Sequence, residues 1–310
     1  MHRSAGAPTA TTSGTKALSA QRVGAFRRRL LEWGVEHRRD FPWRHTRDPW
    51  AILVSEVMLQ QTQAERVVPY YLAFLSAFPT PSACAAAGSA DVVRLWSGLG
   101  YNRRALNLHR AARLIESEHG GRLPDDDGAL RALPGVGAYT ARAIRSFGFG
   151  APVAAVDTNA VRVLTRCLEG GGLSVRAVEA MGDRLVGRGD SWTFNQAMFD
   201  LGATVCQGRP DCVRCPMSTL CRWRRAGLEA PDPWRASPSV RPQSAFAGSD
   251  RQGRGRLVDA LRQRPVRREF VADACGWPDE AGRAERIAAA LVSEGFAQWV
   301  PGPPERLELA

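Results

Sequence analysis

Two carboxylates, four cysteines and one glycine turn are the residues of this chain best suited to chemistry. Glu56 follows Asp48-Pro49, a cap with a first-turn proline, on a helix expected over residues 50–61. There Ile52, Glu56 and Leu59 share one apolar stripe at spacings of four and three. A glutamate on such a face either rims a helix contact or, partly desolvated, keeps its proton at neutral pH as a general acid must. Asp157 ends the apolar run 153–156 and opens Asp157-Thr158-Asn159, an ordinary N-cap whose helix dipole would also hold the carboxyl ionised. One protonated and one ionised carboxyl are the pair required to break a glycosidic bond through an oxocarbenium-like transition state.

Cys206, Cys212, Cys215 and Cys221 read C-x5-C-x2-C-x5-C, enough thiolates within sixteen residues to close around one metal centre. A single [4Fe-4S] cluster is expected, with zinc as the competitor; no histidine is near, and only Cys212 and Cys215 have the close spacing usual for zinc. Cys84, Cys167 and Cys275 are scattered in apolar surroundings and read as small buried hydrophobes. Arg209, Arg214, Arg222, Arg224 and Arg225 give the cysteine loop a cationic surface. Leu133-Pro134-Gly135-Val136-Gly137 lies between two helical patterns, followed by Thr140. Its two glycines let the backbone turn and aim N–H groups outward at a helix start, which favours a phosphate.

These groups must be positioned by helices. From residue 19 to about 228 apolar residues recur at three- and four-residue spacing, with long helices expected over 103–119 and 175–186. Residues 1–18 read as a disordered tail, and the Pro-rich stretch 229–249 as a linker. Residues 250–310 form a small second module with helical patterns at 255–263 and 281–295 and a strand near 297–300, the order of a winged-helix-like unit. The fold class is therefore all-α, in two parts. The chain has 310 residues and a formal charge of +11, which favours a polyanionic partner, and nucleic acid is the commonest inside a cell. No window approaches a membrane span and no secretion signal is evident, so a cytoplasmic monomer is expected. Of 42 basic residues only Lys16 is a lysine, and it lies in the tail. Arginine cannot act as an amine nucleophile, so a lysine Schiff base is set aside.

Ser55 to Thr62, Gly98-Leu99-Gly100-Tyr101, Leu133 to Thr140, Val156 to Asn159, Phe194-Asn195-Gln196-Ala197 and the cysteine quartet fall in one order. In this the chain resembles the adenine DNA glycosylases of the helix-hairpin-helix, iron-sulfur superfamily, over roughly residues 27–221. The resemblance implies two helical lobes with the active site between them, and removal of adenine opposite 8-oxoguanine or guanine in double-stranded DNA. It implies that Glu56 protonates adenine N7 and that Asp157 stabilises the sugar cation, or briefly bonds to it, before water attacks. Tyr139 and Asn159 would orient these carboxylates. Trp43, Arg44, Leu59 and Gln196 would surround the flipped adenine, Gln61 and Thr62 would fill the gap it leaves, and Tyr101 would insert beside the opposing base. Gly135, Val136, Gly137 and Thr140 would hold the DNA backbone. Strand-cutting relatives carry a lysine where Tyr139 stands, so a monofunctional enzyme that leaves an abasic site is implied. Three features depart from the family pattern: a first cysteine gap of five rather than six, Thr158 where glycine is common, and no likeness to the long C-terminal domain. The run Phe41 to Pro49, with Tyr139, also resembles glycosylases acting on thymine opposite guanine, while Gln60-Gln61-Thr62 and Gly100-Tyr101 favour adenine. A non-catalytic DNA-binding protein is a third reading, against which stand Glu56 and Asp157 together.

Overall fold

The computed structural model describes residues 19–169, 174–227, 232 and 245–310. The expected tail at 1–18 and most of the Pro-rich linker at 229–249 lie outside them. Fifteen α-helices are described: α1 (Ala20–His37), α2 (Pro49–Leu59), α3 (Ala64–Ala77), α4 (Pro81–Ala86), α5 (Ser89–Leu95), α6 (Arg103–His119), α7 (Asp127–Ala132) and α8 (Ala138–Phe147). They continue with α9 (Thr158–Leu164), α10 (Val175–Leu185), α11 (Ser191–Asp200), α12 (Arg222–Arg225), α13 (Asp250–Gln263), α14 (Val271–Cys275) and α15 (Ala281–Ser293). The caps explain many of the starts. Ser19, Asp48, Thr80, Asp126, Asp157 and Ser174 each accept a backbone N–H from the first turn that follows.

The described chain divides into two compact units. One comprises residues 39–155, 188–192 and 239–310. At its centre α2 is buried on every side from Trp50 to Met58, packed against α3, α6 and α8. The expected apolar stripe is thus the whole surface of a core helix, because neighbours cover all its faces. Trp50 Nε1 donates to Phe78 O at 3.0 Å, which satisfies the one polar atom of a large buried side chain. The chain's end belongs to this unit. Strands β1 (Val266–Arg267), β2 (Ala297–Val300) and β3 (Arg306–Leu309) form an antiparallel sheet in the order β1-β3-β2, backed by Leu257, Leu261, Ala288 and Leu291 of α13 and α15. This module is tied to the lobe of α2–α8. Arg262 donates to Val93 O at 3.1 Å and Asn102 Oδ1 at 2.9 Å, and Arg103 pairs with Glu294 at 2.7 Å.

The second unit comprises the described parts of residues 1–38, 156–187 and 193–238. Here α1 packs on α10, and Gly34 lets it approach the helix that follows Thr193: a Cβ at Gly34 would stand 2.5 Å from Ala197 Cβ. Among the described residues no helix is long and apolar enough to cross a membrane.

Candidate active site and cysteine loop

In the first unit Glu56 is 6% exposed, a carboxyl set into the core helix α2. That helix ends at Leu59, two residues before the expected end, because Gln60 turns out of helical geometry and Gln61 takes φ +56°. Tyr101, in the turn before α6, takes φ +48° and leaves half its surface exposed. Side chains other than glycine avoid this region, so something must hold both turns. Arg104 does so. Its guanidinium donates to the carbonyls of Val57, Met58 and Gln60 at 3.0, 2.7 and 2.6 Å, and to Thr62 Oγ1, Leu99 O and Gly100 O at 3.2, 3.4 and 3.1 Å. Burial pushes this guanidinium down to about 10, still charged at neutral pH.

Trp43 and Arg44 lie on a short helical turn before α2, both buried. Trp43 stacks on Phe41 at 4.9 Å, and Arg44 donates to Arg39 O at 2.8 Å. Leu59 is half-buried and Thr62 Oγ1 donates to Gln60 O at 3.3 Å. Tyr139 is the second residue of α8, half-buried, with Thr140 buried beside it. In the glycine turn only Gly135 needs its freedom, with φ +83° and Asn107 Cβ 3.1 Å from where a Cβ would sit. Gly137 has an extended backbone as the N-cap of α8 and open space beside it, so its role differs from the second turn glycine expected. Its missing side chain leaves the helix start uncovered, while Val136, 7% exposed, anchors the turn.

In the second unit Asp157 caps α9, accepting from Ala160 N at 2.7 Å and from Asn159 Nδ2 at 2.8 Å. Burial pushes the carboxyl above its ordinary range, and the N–H donors of Ala160 and Asn159 with the Arg162 charge only partly oppose that. Arg162, buried, extends the array: it donates to Asn159 Oδ1 at 2.7 Å, Gly202 O at 2.7 Å and Cys206 O at 2.6 Å. Gly202 permits this closeness, since a Cβ there would stand 2.5 Å from Asn159 Cβ. Hydrogen bonds thus run from the Asp157 carboxyl to the start of the cysteine loop. Gln196 is buried on α11.

Cys206, Cys212, Cys215 and Cys221 all line one cavity of about 20 Å³. As placed, no three His, Cys, Asp or Glu side chains among the described residues form a group that could hold a metal ion. A fifth thiol, Cys167, lines the same cavity and hydrogen-bonds to Cys221, so it is not the isolated core cysteine its neighbours in the chain suggest. That bond helps push Cys221 down to about 6, whereas burial pushes Cys215 up to about 12. Arg166, fully buried, reaches Cys206 Sγ at 3.5 Å and Gln207 O at 2.6 Å and pairs with Asp232. No local pattern marks Arg104, Arg162 or Arg166 as positioning residues. Their acceptors lie up to 66 positions away, and the only hint is an arginine within an otherwise apolar helix face.

Residues 54–181 match the HhH-GPD superfamily of base excision DNA repair proteins. The chain is 42% identical over 276 residues to the adenine DNA glycosylase of Mycolicibacterium smegmatis, covering 87% of this chain and 91% of that protein. It is 37% identical over 214 residues to the thymine-DNA glycosylase of Aeropyrum pernix, covering 66% of this chain and 96% of that one. A solved thermostable thymine-DNA glycosylase is similar in fold, with a TM-score of 0.64 and 34% identity over 66% of this chain and 98% of that structure. The chain belongs to the adenine DNA glycosylases within this superfamily.

Proposed function

We propose that this protein is a monofunctional DNA glycosylase of base excision repair that hydrolyses the N-glycosidic bond of adenine opposite 8-oxoguanine or guanine. What carries the reading is the Asp157–Asn159–Arg162 array together with a glutamate set in the core at Glu56. Adenine must leave the helical stack, because C1′ and N9 are inaccessible in a duplex. Glu56 then gives its proton to N7. The C1′–N9 bond breaks with its electron pair going to the neutral leaving base, and Asp157, ionised and held by Ala160 N–H and the Asn159 amide, stabilises the cation left on the sugar. Water adds at C1′ and loses a proton, leaving an abasic site. Tyr139 stands where a Schiff-base lysine would be needed, so the strand is left uncut. Trp43, Arg44, Leu59 and Gln196 surround the extruded base, and Gln61, Thr62 and Tyr101 occupy the gap beside the opposing one. The turn at Gly135 to Thr140 binds the DNA backbone.

Cys206, Cys212, Cys215 and Cys221 suit one [4Fe-4S] cluster, since the donor set is entirely sulfur around a single cavity with arginines at its edge. When bound, the cluster cross-links the loop, and base release needs none of its chemistry. The order α13-β1-α14-α15-β2-β3 supports a winged-helix-like module at 250–310, after a glycosylase domain at 19–228 and a linker at 229–249. Chromosomal DNA as partner goes with a cytoplasmic, nucleoid-associated monomer.

Base release from duplexes carrying adenine opposite 8-oxoguanine, adenine opposite guanine and thymine opposite guanine tests the reading, with and without alkali. Strand cleavage at adenine only after alkali is expected, along with iron and acid-labile sulfide in the purified protein. Thymine release would favour the second reading, to which the thymine-DNA glycosylase fold match lends weight. Release of no base would leave a binding protein. Arg162→Met should slow adenine release about tenfold or more, through loss of one charge-assisted bond that orients Asn159. Single-turnover kinetics beside DNA-binding measurements check this, binding being expected to hold.

A further inference from the structure

All five cysteines of the second unit line one cavity, Cys206, Cys212, Cys215 and Cys221 from the loop and Cys167 from the segment after α9. A four-iron cluster takes four thiolates, so one sulfur is left over. The loop thiols are not equally held. Cys206 and Cys221 are each 7% exposed. Cys212 and Cys215 are half-buried, but Cys215 lies two residues before the fully buried Met217, whereas Cys212 is followed by Val213, 89% exposed, and the exposed Arg214. Of the four, Cys212 has the least protein around it.

Ordinary packing of a small core residue would account for the burial of Cys167. It does not account for how the segment that carries it is built. Thr165–Glu169 is a π-helical turn continuing α9, a rare wide turn that re-aims the side chains on it and is frequent at functional sites. The turn that delivers Cys206, Leu201–Val205, is π-helical as well. Residues 166–168 are then pinned to the cysteine loop. One Arg22 nitrogen donates to Cys167 O at 3.1 Å and to Leu220 O at 2.8 Å, Arg222 donates to Leu168 O at 3.0 Å, and Cys221 Sγ donates to Arg166 O at 3.4 Å. These contacts set the Cys167 thiol against Cys221, with Cys206 and Cys215 also within its electrostatic reach.

We propose that Cys167 is a reserve ligand of the iron-sulfur cluster, which takes the place of Cys212 and completes a set with Cys206, Cys215 and Cys221 when the more exposed thiol is removed or alkylated. The exchange is redox-neutral. Cys167 gives up its thiol proton as its sulfur bonds the iron, and the bond between that iron and the Cys212 sulfur is broken or never made; a departing Cys212 thiolate takes up a proton. Loss of the outermost ligand then leaves the loop cross-linked. The proposal rests on the reading of the loop as a [4Fe-4S] site, and its test does not need base release.

Iron and acid-labile sulfide measured in the full chain, purified without air, decide it. The parent and Cys167→Ala should each hold the two in equal amounts, as one complete cluster. Cys212→Ala should keep most of that content, still in equal amounts, because a fourth thiolate is at hand. Cys212→Ala combined with Cys167→Ala should hold about tenfold less cluster, or one poorer in iron than in sulfide, since three thiolates leave one iron unheld. Because Cys167→Ala alone keeps the cluster, the loss in the double variant reports the missing ligand and not a spoiled core. If the double variant does not fold, Cys212→Ala combined with Cys167→Ser decides instead: serine keeps the size, and an oxygen on one iron should change the visible absorption of the cluster relative to Cys212→Ala. A Cys212→Ala protein as empty as the double variant, a double variant as full as Cys212→Ala, depletion by Cys167→Ala alone, or an unchanged spectrum with serine would overturn the proposal while leaving the cluster reading intact. A parent with neither iron nor sulfide would overturn the cluster reading, and the proposal with it.

Discussion

Glu56→Gln and Asp157→Asn each lose base release by a factor on the order of 10³ or more while DNA binding stays measurable. Glutamine fills the same space in the core of α2 but has no proton to give to the departing base. Asparagine at 157 can still accept from Ala160 N–H, so the start of α9 survives while the negative charge is gone. The same replacement carries a stability signature of its own. Because burial raises the Asp157 carboxyl above its ordinary 3.8, the folded protein holds that proton to higher pH than the unfolded chain does. Keeping the residue ionised therefore costs stability at neutral pH. Asp157→Asn should melt at a higher temperature than the parent at pH 7. The gain should grow as pH rises through the ordinary aspartate value toward the raised folded one, and vanish below 3.8. Single-turnover base release and melting curves from pH 3 to 8 check both halves. An active Asp157→Asn protein would refute the catalytic assignment, and a melting difference that grew toward acid would refute the account of its charge.

Arg104→Met should unsettle two turns at once. It takes the guanidinium donor from the carbonyls of Val57, Met58 and Leu99, and one of two side-chain donors from Gln60 O and Gly100 O, which keep Thr62 Oγ1 and Trp96 Nε1. The expected loss is roughly 3 kcal/mol, or on the order of 10 °C in melting temperature. Gln61 and Tyr101 then relax from their left-handed conformations, and the end of α2 that carries Glu56 loses its tether. Base release should fall about 10²-fold below what the lost stability explains, since small misplacements of reacting groups have effects of that size. Arg104→Lys should recover part of the stability but little of the rate, because one ammonium cannot span acceptors on both sides. Thermal denaturation and single-turnover rates, taken well below the melting temperature, separate the two. A stable but equally active Met variant would show that Arg104 serves folding alone.

Much of this was legible in the order of residues. Helix α6 occupies 103–119 and strand β2 297–300, where spacing and alternation put them, because a 3.6-residue or two-residue rhythm is local. The capping role of Asp157 follows from residue type and neighbours in the same way. The surroundings of α2 were not legible, since whether a helix buries one face or all of them depends on what packs around it. The same holds for Cys167, whose neighbours in the chain are those of an ordinary core cysteine while its thiol meets Cys221.

The sequence alone determined which groups can give or hold a proton, which four thiols are spaced to serve one cluster, and that no lysine outside the tail can attack a sugar. Those are properties of side chains and short spacings. Only the tertiary structure decided which of them are dry, which arginine ties which turn, and that a fifth thiol lines the cysteine cavity. Burial and long-range hydrogen bonds are made by segments far apart in the chain, and nothing in the local pattern carries their energies.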